Sequence, residues 1–170
     1  MLTRLEAIER ILVRGMPAAQ TESRDRKLGI AWVALCLALV FHVVDEASTG
    51  FLSVYNPTVT ALHQRFAWFP MPNFEFGDWL TGLVIANLIL LALSPFAFRG
   101  AGWMKPIAYL FAAVMMLNGA GHTLGTIFGR TVESVHFVRP MPGFYSSPAL
   151  LAASGYLLFR LRRASAATAS

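Results

Sequence analysis

Two short groups of polar side chains in this sequence stand where their types and spacing can do chemistry. The first is Phe41-His42-Val43-Val44-Asp45-Glu46, and the second is Asn118-Gly119-Ala120-Gly121-His122. On a helix, residues four apart share a face, so His42 lies in line with Glu46 and Asn118 with His122, while Asp45 sits beside the first pair. An imidazole and one or two carboxylates on one face form a common arrangement for holding a divalent metal or handling protons. Both groups are embedded in apolar sequence. Ionisable residues are costly there, and they usually face a helix bundle's interior with a partner.

The elements that must position them are long apolar helices. Of the 170 residues, 56% are apolar and 14% charged, too few charges to coat a water-facing surface. Crossing a hydrocarbon core of ~30 Å takes about 20 apolar residues at ~1.5 Å rise each. Four blocks meet this to different degrees: residues 28–47, 79–98, 107–128 and, shorter than ideal, 148–161. The expected fold is therefore all-α, a polytopic transmembrane bundle of about four helices. Counting along the first and third blocks, which run outward, His42 follows Leu28 by 14 residues and His122 follows Ile107 by 15. Both imidazoles then lie about 21–22 Å from the inner surface, level with each other in the outer half of the bilayer. Gly119, Gly121 and Gly125 leave room for a neighbouring helix to approach.

The net charge of +5 is distributed in a way that argues for topology rather than for nucleic acid. Arg4, Arg10, Arg14, Arg24, Arg26 and Lys27 precede the first block, Arg99 and Lys105 separate the second from the third, and Arg160, Arg162 and Arg163 close the fourth. The other two loops hold Arg65, Arg130 and Arg139. Basic residues favour the cytoplasmic side, so both termini are expected inside a bacterial cytoplasmic membrane. Contact with anionic lipid accounts for the basic excess, and nucleic-acid binding is unsupported. The single cysteine, Cys36, reads as a small apolar core residue and permits no intrachain disulfide. The first block starts too far along the chain, and ends too polar, for a cleaved signal peptide.

Three regions follow. Residues 1–27 form a cytoplasmic segment, residues 28–163 the membrane domain and residues 164–170 a disordered tail. In the first, Leu2, Leu5, Ile8 and Leu12 share a helical face suited to an interfacial helix or to a frayed terminus, and residues 17–25 read as a polar linker. The loop 48–78 contains an aromatic and proline-rich stretch, 66–76, expected to be an interfacial belt or a lid over a site. His63, His136, Glu75 and Asp78 stand near the proposed outer mouth. Ser147 and Pro148 read as the cap and first residue of the last helix, and Asn87 as a hydrogen-bonding group across the bundle.

Taken together, His42, Asp45 and Glu46, then Asn118 and His122, then Pro142-Gly143 before the last helix, resemble the HXXEE-motif membrane proteins. The resemblance covers roughly residues 41–156. The chain departs from the pattern at Asp45, where that family has glutamate, whereas Glu46 matches; the side chain is one methylene shorter, which bears on its role as a ligand. The resemblance implies a membrane-embedded, metal-linked enzyme. It names a site without naming a substrate.

The leading reading is a metal-dependent membrane hydrolase acting from the outer-leaflet side on a lipid-like substrate. His42, Glu46 and His122 are its expected metal ligands, with a position left open for water. Glu46 also counts as a catalytic carboxylate, Asp45 as a further ligand or general base, and Asn118 as a group that orients substrate or a histidine. Zinc is the first expectation for mixed imidazole and carboxylate ligands, and manganese or iron fits as well. Two other classes use the same cluster: a small-ligand, metal or proton binding or transport protein, and an accessory subunit whose polar cluster is structural. The bilayer is the one partner the sequence requires, and oligomeric state is not written in it.

Overall fold

A computed structural model describes the backbone of residues 2–166 and the side chains of residues 21–163. Among the described residues the chain is all-helical: α1 (Leu2–Thr49), α2 (Leu52–Arg65), α3 (Phe76–Ala92), α4 (Ser94–Phe98), α5 (Met104–Phe128) and α6 (Ser147–Ala166). No strand forms among them, and a single isolated bridge joins Arg130 to His136. By length and composition, three helical stretches are apolar enough to cross a membrane: Thr21–Thr49, Phe76–Phe98 and Met104–Phe128. The fourth apolar block lies in α6. That helix completes the bundle, with Leu150, Leu157 and Leu161 fully buried.

The core explains why these helices hold together. Trp32, Leu35, Cys36 and Leu39 recur at helical spacing on α1 and are buried against Phe111 and Ala112 of α5 and the leucines of α6. Trp32 meets Phe111 edge-on at 5.2 Å, and its indole N–H donates to the Leu90 carbonyl of α3 at 3.0 Å. That bond satisfies a polar group that burial would otherwise leave costly. Outward faces carry large apolar residues, among them Leu37, Leu88, Leu110 and Leu117, a surface suited to hydrocarbon rather than water.

Several local features differ from the sequence expectations. The linker expected at residues 17–25 is helical, because α1 runs unbroken through it. The interfacial face of Leu2, Leu5, Ile8 and Leu12 lies outside the described side chains, and residues 167–170 of the expected tail lie outside the described residues. The loop 48–78 contains a further helix, α2, which tucks Val54 and Val59 inward. Its Pro57 and scattered polar residues obscure the pattern in sequence. The stretch 66–75 then folds back along α2. Tyr55 donates to the Pro72 carbonyl at 3.1 Å, and Asn56 exchanges two bonds with Phe74, at 2.9 and 3.0 Å. Asn87 bonds within its own helix, its amide donating to Leu83 at 3.0 Å, and makes no bond across the bundle.

Candidate metal centre

The centre is assembled from α1, α5 and the segment that leads into α6. On α1, the four-residue spacing brings the His42 and Glu46 side chains together, with His42 Nε2 3.3 Å from Glu46 Oε1. His122 of α5 approaches the same oxygen, its Nε2 at 3.1 Å. The two imidazole rings stand 4.8 Å apart, nearly perpendicular. All three side chains are buried, and one ligand atom from each lies within 4.8 Å of the others.

The far side of each imidazole is tied down. His122 Nδ1 donates to the Pro142 carbonyl. His42 Nδ1 donates to the Ser146 hydroxyl at 2.7 Å. With its Nδ1 protonated, a neutral imidazole presents a bare lone pair at Nε2, the tautomer a metal ligand needs. Both Nε2 lone pairs therefore point toward a carboxylate oxygen that also has only lone pairs to offer. His42 Nε2 and Glu46 Oε1 are buried without a hydrogen-bond partner. Such a convergence of acceptors is repulsive unless a cation or a proton sits among them.

The two separations from Glu46 suit a cation. Ligands about 2.0–2.1 Å from a tetrahedral metal stand about 3.3 Å from one another, close to the 3.3 and 3.1 Å seen at the two edges to Glu46. These three side chains could hold a metal ion.

Asp45 is not among the converging atoms. Its Oδ2 instead accepts two bonds from Ser146, one from the backbone N–H and one from the hydroxyl, each 2.8 Å. The hydroxyl has one proton, and the charged acceptor at 2.8 Å is preferred to the Gly143 carbonyl at 3.1 Å. A relay results, from the His42 N–H to the Ser146 hydroxyl to the Asp45 carboxylate. The geometry thus sets Asp45 behind His42, acting on it through Ser146, and leaves it out of ligand reach of the centre.

Asn118, one turn before His122 on α5, has a buried Oδ1 without a hydrogen-bond partner and borders a cavity that His122 also lines. His63 and His136 do not join the centre. His63 bonds to the Phe69 carbonyl at 2.9 Å, and His136 lies in the bridge to Arg130. Asp78 occupies the first turn of α3, where its charge complements the helix dipole; Glu75 is the residue just before that helix.

Two contributors, Ser146 and Phe51, are not legible as such in the sequence, and Gly143 stands there only as part of the Pro142-Gly143 resemblance. Ser146 reads there as part of a helix start, and its carbonyl does accept the first helical bond, from Leu150 at 3.1 Å. Ser147, expected as the cap, donates its hydroxyl to Gly143 instead. Phe51, on the turn into α2, places its ring 5.5 Å from His122 and shields the centre where the aromatic loop was expected to. Gly143 adopts φ +83°, and a Cβ there would stand 2.7 Å from His122 Cε1 and 2.9 Å from Glu46 Cγ, so only glycine lets this backbone lie against the site. Its N–H donates to Thr49 Oγ1 at 3.3 Å, tying the segment back to α1. No family model, no curated protein and no solved structure matches this chain.

Proposed function

We propose that this protein is a membrane-embedded, metal-dependent enzyme, a hydrolase acting on a lipid-like substrate reached from the outer leaflet. The observation that carries the reading is the buried meeting of His42 Nε2 and His122 Nε2 at one Glu46 oxygen, 3.3 and 3.1 Å away. The resemblance to HXXEE-motif proteins supports it, since the same residues make up that motif. So does the adjoining cavity, which gives a substrate access to His122.

A divalent ion held by these side chains supplies Lewis acidity at a site shielded from water. The chain's own residues do the rest. His42 and His122 are fixed in tautomer and orientation by Ser146 and Pro142. Asp45 holds the Ser146 hydroxyl in place as the acceptor for His42. Asn118 borders the cavity one turn from His122, placed to orient a substrate there. The orientation follows the arginine and lysine distribution, with the centre in the outer half of the bilayer.

A proton shared between Glu46 and one histidine would satisfy the same atoms, making the cluster a structural ion pair. Elemental analysis separates the two. Protein purified without chelators is expected to carry about one divalent ion per chain, zinc first among the candidates. His42→Ala should lose that ion, and Glu46→Gln should weaken its binding with almost no change of volume. Neither should impair membrane insertion, which depends on apolar length. Wild-type protein that holds no metal, and takes none up from added zinc, manganese or iron, would overturn the enzyme reading.

A further inference from the structure

Between α2 and α5 lies a cavity of about 500 Å³ whose two ends differ in character. On α2 it is lined by Phe51, Val54, Tyr55 and Thr58, a single helical face. On α5 it runs from Leu117, 74% exposed on the outside of the bundle, past Asn118 and His122 to Arg130 just beyond the helix end. At ~1.5 Å per residue this course is about 20 Å long. At the inner end Leu117, and further along Leu124, are exposed on the outside of the bundle, where hydrocarbon would surround the helix. The outer end carries a guanidinium with Thr58 and Thr131 beside it.

Arg130 makes no ion pair among the described residues, and no carboxylate lines the cavity. A charged group on a channel whose other lining residues include no carboxylate is complementary to an anion brought from outside. The metal centre opens onto the channel part-way along, at His122. Bare phosphate would fill only the outer end, and a neutral alkyl chain only the inner one.

We propose that this cavity binds a single-chain amphiphile with an anionic phosphate or carboxylate head. The head pairs with Arg130, the chain lies along α5 toward Leu117, and the section between passes Asn118 and His122. The ligand's binding follows from the cavity alone. Its being a substrate rests on the metal-site reading above.

The test uses full-length protein in neutral maltoside detergent, titrated calorimetrically with decyl phosphate, decanoate and inorganic phosphate. Decyl phosphate or decanoate, or both, should bind, and the difference between them identifies the head. Inorganic phosphate should bind far more weakly. Arg130→Gln should weaken binding about tenfold, the scale of one charge-assisted hydrogen bond. Arg65→Gln, on the same outer side but away from the cavity, should not. Gly121→Leu is a second, independent variant. Gly121 lines the cavity, and a Cβ there meets nothing within 4 Å, so the leucine should fold in place and occlude the channel.

Equal binding by Arg130→Gln and wild type would overturn the proposal. So would binding undiminished in Gly121→Leu, or inorganic phosphate binding as well as the alkyl anions. Metal content, measured on the same samples, keeps the two readings apart. Arg130-dependent binding by protein that holds no metal and takes none up would sink the enzyme reading and leave this one standing, whereas metal-loaded protein that ignores the alkyl anions would do the reverse.

Discussion

Ser146→Ala tests the centre most directly, because Ser146 touches it only through His42. The hydroxyl accepts from His42 Nδ1 at 2.7 Å and donates to Asp45 Oδ2 at 2.8 Å, and it is fully buried. Alanine removes one oxygen and leaves the His42 N–H facing a void that no other acceptor enters. An unsatisfied buried donor costs about 1–3 kcal/mol. In metal sites, losing such a supporting bond lowers affinity about 10–100-fold, or roughly 1.4–2.7 kcal/mol, so the two scales agree. The assay is competitive titration of the purified protein with a chromophoric zinc chelator. Ser147→Ala is the control, one residue away and equally buried. Its hydroxyl donates only to the Gly143 carbonyl at 2.8 Å, so its loss should lower stability by about 1 kcal/mol and leave metal affinity unchanged. If Ser146→Ala binds zinc as tightly as wild type, or Ser147→Ala falls equally far, the relay does not support the ligand.

Asp45→Ala should couple to Ser146→Ala: if both act through one chain to His42, the double variant should lose little more zinc affinity than the worse single one. Gly143→Ala should both destabilise the protein and displace His122, since its Cβ would lie 2.7 Å from the imidazole and φ +83° adds strain of about 1–2 kcal/mol. Gly77→Ala, where a Cβ meets nothing within 4 Å, should do neither in parallel melting and metal assays. Reporter fusions after Arg163 and within residues 99–105 should report cytoplasm, and those near Arg65 and Arg139 the outside; a cytoplasmic Arg139 would end the four-span topology.

Much of the site was legible in sequence because its first layer is local. The pairing of His42 with Glu46 needs only a helix, and the common level of His42 and His122 needs only a fixed rise per residue along two parallel segments. Apolar length likewise announces the helices: the end of α1, both ends of α5 and the start of α6 fall within a few residues of the apolar blocks, whereas α1 begins far upstream, at Leu2. Helix α2 escaped because it is short, contains Pro57, and is held by the inward packing of Val54 and Val59 and by its bonds to residues 72–74.

What the sequence by itself determined was which side chains stand on one face and that His42 and His122 stand level on their two helices. It did not determine which of two adjacent carboxylates turns toward His122. At about 100° per residue, Asp45 and Glu46 point about a quarter-turn apart, on either side of His42, and either one can face the partner helix. The choice belongs to the rotation of α1 against α5 and α6, which is set by how Trp32, Leu35 and Leu39 pack. That rotation sends Glu46 to the histidines and Asp45 to Ser146, 101 residues further along the chain. The contact between Asp45 and Ser146 has no local signature, because it exists only where the packed helices bring the start of α6 beside the end of the first apolar span.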